Sequence, residues 1–576
     1  MTTILTTDWP THAACEGLSG VYRHPFHEPS DDFDVRIEDR ATPANERNMC
    51  ALSAVLRSKP EWWTKFTDST IRSRWKSEAI GAPVPYGEIS LKKDEVEYVL
   101  DELAHYAALR DPTTGIEVSI AARIWQSDTL VDESLRDELL SCVAKLEDVP
   151  EDEKDWHSRA NGQVLDLVHP SLYPVVYGRT VVSESPSLRE ERDIPLPQYT
   201  TDPSAVDLDY GGDFRLSSDF HSSTSVNTAF LSKRFQWLPT DFEVSAGGNS
   251  ARALGYINNL EPRTHLNAYP VLERLVAHFV PLWERVLGET AAGYLPPSRT
   301  KGGYQKDYLR EFTEEEGENG EEPHCAIILP KLEGPFTAHP APPTVNLRGK
   351  TLQVIVKLAN IHLTPDASEY PGGSWHVEGM INEAIVSTGI YYYDEDNVTE
   401  SRLAFRTAVN DPGVHYEQDD SVGSMTTYEL DRDEPLVQTL GAVATKAGRC
   451  IAFPNIYQHQ VQPFALADPS RPGYRKILAL FLVDPSLEYP RPSTTFVPPQ
   501  QRGWMRTTVH TAAASTESRL SKLPVELLNT IVDQVDGLMD RAEAGALRLE
   551  LMEERSAMTE ENTEQVFAVP FNMCEH

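Results

Sequence analysis

Gly372-Gly373-Ser374-Trp375-His376-Val377-Glu378-Gly379 is the stretch on which the reading of this chain turns. Residues i and i+2 of a strand face the same side. His376 and Glu378 therefore offer an imidazole and a carboxylate to one point in space. Downstream, Tyr457-Gln458-His459 supplies a second imidazole, and Arg475 precedes the apolar run Ile477 to Val483. Two histidines and one carboxylate on one face, with positions left open, suit non-heme Fe(II). An arginine beyond the distal histidine gives a dicarboxylic co-substrate a bidentate partner.

A His-x-Glu pair is cheap, and the chain holds a second one, His415-Tyr416-Glu417. Its acidic, turn-like surroundings read as a surface loop, which seldom holds two ligands in register. The first pair instead follows a Gly-Gly turn and leads into an apolar strand pattern. The distal segment strengthens it: Cys450-Ile451-Ala452-Phe453 reads as a strand, His459 follows, and a loop separates it from Arg475. A surface histidine and a salt-bridging arginine are the bland alternative. They leave the order strand, histidine, loop, arginine, apolar strand unexplained. His169, by contrast, sits in an apolar setting that favours a hydrogen-bonded structural histidine.

Around this constellation the chain is long and acidic. Its 576 residues exceed one ordinary core. A formal charge of −36 argues against a general phosphate-binding face, so no nucleic-acid partner is expected. The six cysteines lie far apart with no CxxC pair, which fits neither a zinc knuckle nor a disulfide framework. No basic-then-apolar leader and no membrane-length run is visible, so a cytoplasmic protein without membrane partners is the expectation.

The grammar changes along the chain. Val96, Val99, Leu100, Leu103 and Ala107 predict a helix over 93–109, and Val131 through Val143 another over 131–146. Residues 164–180, broken by Pro170 and Pro174, read as irregular structure. A helix through Val271 to Phe279 is expected to kink at Pro281. From about residue 323, short β-rich runs separated by turns indicate a barrel or sandwich. The acidic stretch Glu314 to Glu322 reads as a solvated loop, and the Pro-rich segment after residue 484 as an extended tether. The expected regions are 1–235, mostly helical; 236–322, mixed; 323–488, the β core; 489–518, the linker; and 519–576, a helical tail.

The order of His376-x-Glu378, His459 and Arg475 resembles the iron(II)/2-oxoglutarate-dependent oxygenases. More closely, the chain is similar to a large, mainly fungal family known as a domain of unknown function. The similar segments include Asp155-Trp156-His157, Leu167-Val168-His169-Pro170-Ser171-Leu172-Tyr173-Pro174, Phe235-Gln236-Trp237-Leu238-Pro239, Tyr256-Ile257-Asn258-Asn259-Leu260 and residues 372–379. The resemblance implies an α+β fold with a double-stranded β-helix (jelly-roll, cupin-like) core between helical flanks. It implies that His376, Glu378 and His459 hold Fe(II), that Arg475 binds the far carboxylate of 2-oxoglutarate, and that O2 is the other co-substrate. Asn360 is a candidate amide contact to 2-oxoglutarate, and Val354 and Val356 are candidate pocket residues. Glu378 stands where Asp is usual in these enzymes, yet it still supplies an anionic oxygen, unlike the halogenase subgroup. Lysine-demethylase-type relatives use a lysine for the far carboxylate, so Arg475 points away from them. The implied activity is oxidation of a C–H bond in a small-molecule substrate, an amino acid or secondary-metabolism intermediate. The alternatives are a protein hydroxylase or demethylase and a catalytically silent β-barrel scaffold.

Overall fold

The computed structural model describes residues 2–4, 22–26, 39–158, 160–183, 208–209, 230–308, 325–412, 421–487, 491–515 and 518–573. The fold is mixed α+β. Its main sheet is antiparallel and runs Ala251–Ala253, Thr240–Val244, Thr351–Leu363, Gly473–Val483, Ile385–Asp396, Cys450–Pro454, Trp125–Ser127, Glu117–Val118, with Val164–Val168 pairing the far part of Thr351–Leu363. A smaller sheet pairs Arg402–Asn410 with Val437–Ala444 on one side and Gln458–Val461 on the other. Among the described residues these ladders do not join into a closed barrel.

Alternation along the long strands separates two apolar layers. Leu352, Val354, Val356 and Leu358, with Leu478, Leu480 and Leu482, pack outward against the helix Ala268–Ala291. That helix buries most of its surface and leaves a polar stripe of Glu273, Arg274, His278 and Arg285 outside the core. It continues through Pro281. It lies so close to the sheet that a Cβ on Gly389 would come within 2.5 Å of Phe279, so glycine is required there. The opposite face carries Ile355, Ala479, Phe481, Ile390, Tyr392 and Phe453. These residues meet Phe405 and Leu403 of the smaller sheet and Leu547 and Leu551 of the helix Arg541–Val566.

Three expectations change at this level. Residues 164–168 form a strand despite the following prolines, because Leu358 to Ile361 offer it an open sheet edge. The Pro-rich segment is no tether. Ser493, Thr494, Phe496 and Val497 are buried, and the Ser493 and Thr495 hydroxyls donate to the buried carboxylate of Asp241 at 2.6 Å. Strands from residues 117–127 and 164–168 extend the main sheet, so the N-terminal region shares the core's sheet. The helices Lys93–Leu109 and Glu133–Glu147 form as expected. The Glu314 to Glu322 stretch and the His415/Glu417 pair lie outside the described residues. No described helix is long and apolar enough to cross a membrane.

Candidate metal centre

His376 lies beside Gln458–Val461 rather than in a regular strand of its own. Its N–H donates to the His459 carbonyl at 3.2 Å, and the His459 N–H donates back to the His376 carbonyl at 3.0 Å. This two-way bridge sets the imidazoles side by side, with ring centroids 4.3 Å apart. Glycines shape the approach. Gly372 has φ +92°, and a Cβ there would come within 2.8 Å of the Val461 carbonyl. The side chain of Asn455 fixes Glu378 by accepting from its N–H at 2.8 Å and donating to its carbonyl at 2.8 Å.

The result is convergence. His376, Glu378 and His459 each present a ligand atom within 4.8 Å of the others'. The Nε2 atoms of His376 and His459 lie 3.6 and 3.5 Å from the same Glu378 oxygen, Oε1. Donors around one octahedral ion, at bonds of about 2.1 Å, sit roughly 3 Å apart, so the spacing is close to that of ligands. Nδ1 of His376 lies 2.9 Å from the Ser374 carbonyl. It must therefore be the donor, which leaves the Nε2 lone pair free for a metal. Exposure falls from 33% for the His376 side chain to 14% for Glu378 and 5% for His459, so the cluster opens on the His376 side.

The protonation states suit ligation. Burial works against ionising Glu378, but the two histidines overcome it and hold the carboxyl well below its usual range. Burial, reinforced by His376, lowers His459 despite the carboxylate beside it. Burial also opposes charge on His376, but Glu378 outweighs it and raises that imidazole. A metal ion competes with protons for such imidazoles, so binding at this cluster strengthens as they are deprotonated. Among the described residues no Lys or Arg side chain hydrogen-bonds Glu378.

Arg475 is buried on the same sheet face. It donates to Thr445 Oγ1 and to the Glu395 carboxylate, between the rings of Phe464 and Tyr392. Its Nε is buried without a hydrogen-bond partner. Asn360 is not brought to this face. It donates to Glu147 at 2.6 Å and accepts from the Tyr393 hydroxyl at 3.4 Å, on the helix-packed side of the sheet. Its even register with Val354 and Val356 puts all three in the outer layer, so none lines the metal cluster.

Side chains that sequence reasoning did not single out complete the surroundings. Trp237 stacks on Phe481, with centroids 5.7 Å apart. Arg555, from the helix Arg541–Val566, lies over the Trp237 ring and pairs with Glu383. A second group, His157, Asp166 and His169, also brings ligand atoms within 4.8 Å of one another. There Arg548 bonds Asp166, and His169 Nδ1 accepts the Ser171 N–H at 3.2 Å, in keeping with a structural histidine.

Comparison with known families settles membership. Residues 93–508 match the model described as "Protein of unknown function (DUF4246)", and residues 7–78 match the N-terminal domain of the same name. The chain belongs to the DUF4246 family. No curated protein is similar enough to count as a match. Among solved structures, an Fe(II)/(alpha)ketoglutarate-dependent dioxygenase, TqaL, superposes over 44% of this chain and 70% of its own, at 10% identity and TM-score 0.21. IDO from Bacillus thuringiensis covers 24% of this chain and 47% of its own, at 10% identity and TM-score 0.16. A bsmA homolog from Methylobium petroleophilum PM1 covers 25% and 45%, at 12% identity and TM-score 0.14. At such scores these likenesses carry no argument about this DUF4246 protein, and the case rests on its own residues.

Proposed function

We propose that this chain is an iron(II)- and 2-oxoglutarate-dependent oxygenase that oxidises a C–H bond of a small molecule. The observation that carries this reading is the convergence of His376, Glu378 and His459 with, among the described residues, no Lys or Arg bonded to the carboxylate. The strand order adds support. Thr351–Leu363, Gly473–Val483, Ile385–Asp396 and Cys450–Pro454 run side by side, facing a second ladder that holds His459. This order would suit a double-stranded β-helix, in which the cluster would stand at the mouth.

Iron with 2-oxoglutarate and oxygen would supply the oxidising power, with succinate and CO2 as by-products. The chain's own part is binding, orientation and exclusion of water. His376, Glu378 and His459 would hold the metal on one face and leave the other face for co-substrates. Arg475 would receive the far carboxylate through its unused Nε edge, with the Thr445 hydroxyl beside it. The helix Arg541–Val566 screens one flank, since Arg555 caps Trp237 and Thr563 accepts from Gln458 at 3.1 Å.

The test is anaerobic titration with Fe(II), then 2-oxoglutarate, then oxygen with a panel of small molecules, reading bound metal, visible absorption and succinate. One equivalent of metal that is lost in His376→Ala, together with succinate that depends on a panel member, is the expected result. Wild-type protein that binds no metal would refute the proposal.

A further inference from the structure

We propose that Lys357 binds an acidic group of the substrate, so that the molecule oxidised at this site is a carboxylic acid. The inference rests on the oxygenase reading and adds a substrate class to it. Lys357 stands on Thr351–Leu363 at odd register between Ile355 and Ala359, so it faces inward where its even-numbered neighbours face the helix layer. It pairs across the ladder with Ala479, which pairs in turn with Ile390, so its neighbours on that side of the sheet are apolar. Its positive charge is felt at His376, Asp166 and His169. Yet among the described residues it forms neither a hydrogen bond nor an ion pair.

The other cations around the cluster are already engaged. Arg475 bonds Thr445 and Glu395, Arg555 bonds Glu383, Arg548 bonds Asp155 and Asp166, and Arg406 donates to Gln458. The half-buried Lys357 ammonium has no carboxylate within bonding distance among the described residues, so it can still take a charge-assisted bond if a bound molecule brings it a negative charge. Two anionic molecules could do so, and position separates them. Arg475, with a side chain 3% exposed, lies at the enclosed end and suits a co-substrate held there before the substrate arrives. Lys357 is only half-buried, and its charge is felt at His376, the most exposed of the three cluster residues and the side left for the substrate. A flexible, strongly charged ammonium suits one carboxylate approaching from that side.

The experiment loads the full-length protein with Co(II) and 2-oxoglutarate, without turnover. It then titrates matched pairs of small carboxylic acids and their primary amides, reading the Co(II) absorption and the thermal midpoint. Acids are expected to shift both signals, with amides about tenfold or more weaker, the weight of one charge-assisted contact. Lys357→Met should abolish the preference for acids while Co(II) and 2-oxoglutarate affinities stay near wild type, and Lys357→Arg should restore it. Equal binding of acids and amides, no response to any acid, or loss of 2-oxoglutarate binding in Lys357→Met would overturn the assignment. Wild-type protein that takes up no Co(II) would instead bring down the oxygenase reading itself, and this inference with it.

Discussion

Two clusters among the described residues contain the same side-chain types, two histidines and one carboxylate, and they spend their lone pairs differently. In the first, Asp166 accepts from His157 Nδ1 at 2.8 Å and from the Arg548 guanidinium, which also holds Asp155. His169 accepts at Nδ1 from a backbone N–H, so its neutral ring carries the proton on Nε2. In the second, His376 donates from Nδ1 to a carbonyl, so its neutral ring has the lone pair on Nε2, and among the described residues the carboxylate of Glu378 has imidazoles and no Lys or Arg as its ionic partners. Ligand type and proximity are therefore not enough. What separates a brace from a binding site is whether lone pairs are spent on protein donors or left for an ion.

The sharpest way to break this contrast is to remove each carboxylate in turn. Glu378→Ala should reduce bound Fe(II) or Co(II) from one equivalent to none, measured by elemental analysis after desalting. Asp166→Asn should leave the stoichiometry at one and lower the denaturation midpoint. A variant of Asp166 that lost metal while still folded would erase the distinction. Next in size is Arg548→Met, which strands a buried carboxylate without its cation. It should cost about 3–5 kcal/mol in chemical unfolding, without gain of a second metal equivalent. A second equivalent would show that the guanidinium alone was keeping the first cluster closed to metal.

Smaller effects sharpen the picture around the second cluster. Asn455→Ala should weaken metal binding by about 10–100-fold, because the Glu378 backbone loses its two amide contacts. Arg475→Met should raise the Kd for 2-oxoglutarate by about 10–100-fold while sparing the metal, as judged by absorption titration. The smallest expected effect is a pH slope from the first cluster. Burial, the leading cause, holds the His169 imidazole well below its ordinary value. Below about pH 6.5 the unfolded chain then takes up a proton that the folded one refuses. Stability should therefore fall as pH drops from 7.5 to 5.5, and His169→Gln should flatten that slope in thermal melts.

Much of the second cluster was legible in the chain because its information is local. A His-x-Glu after two glycines, a histidine after a strand-like run and an arginine before another need only period-two counting and turn chemistry. Asn360, Val354 and Val356 do share one face, as their even register requires, but the register cannot show that this face is the one covered by the helix Ala268–Ala291. Other features were hidden because they depend on partners distant in sequence. Nothing near Asn455 announces that its amide will hold Glu378. Nothing near Val164–Val168 shows the sheet edge that makes it a strand against two prolines. The buried strap at residues 491–497 looked like a tether because its anchor, Asp241, lies some 250 residues earlier. Lys357 carries no signal of its own in the sequence, and only its inward register in the folded sheet marks it out.

The reciprocal amide bonds between residues 376 and 459 have one further implication. Because main-chain pairing, rather than the fit of surrounding side chains, sets the distance between the two imidazoles, the walls can be remodelled without dislodging them. Relatives could diversify in the compounds they accept by changing bulky neighbours such as Trp237 or Phe481 while inheriting an unaltered grip.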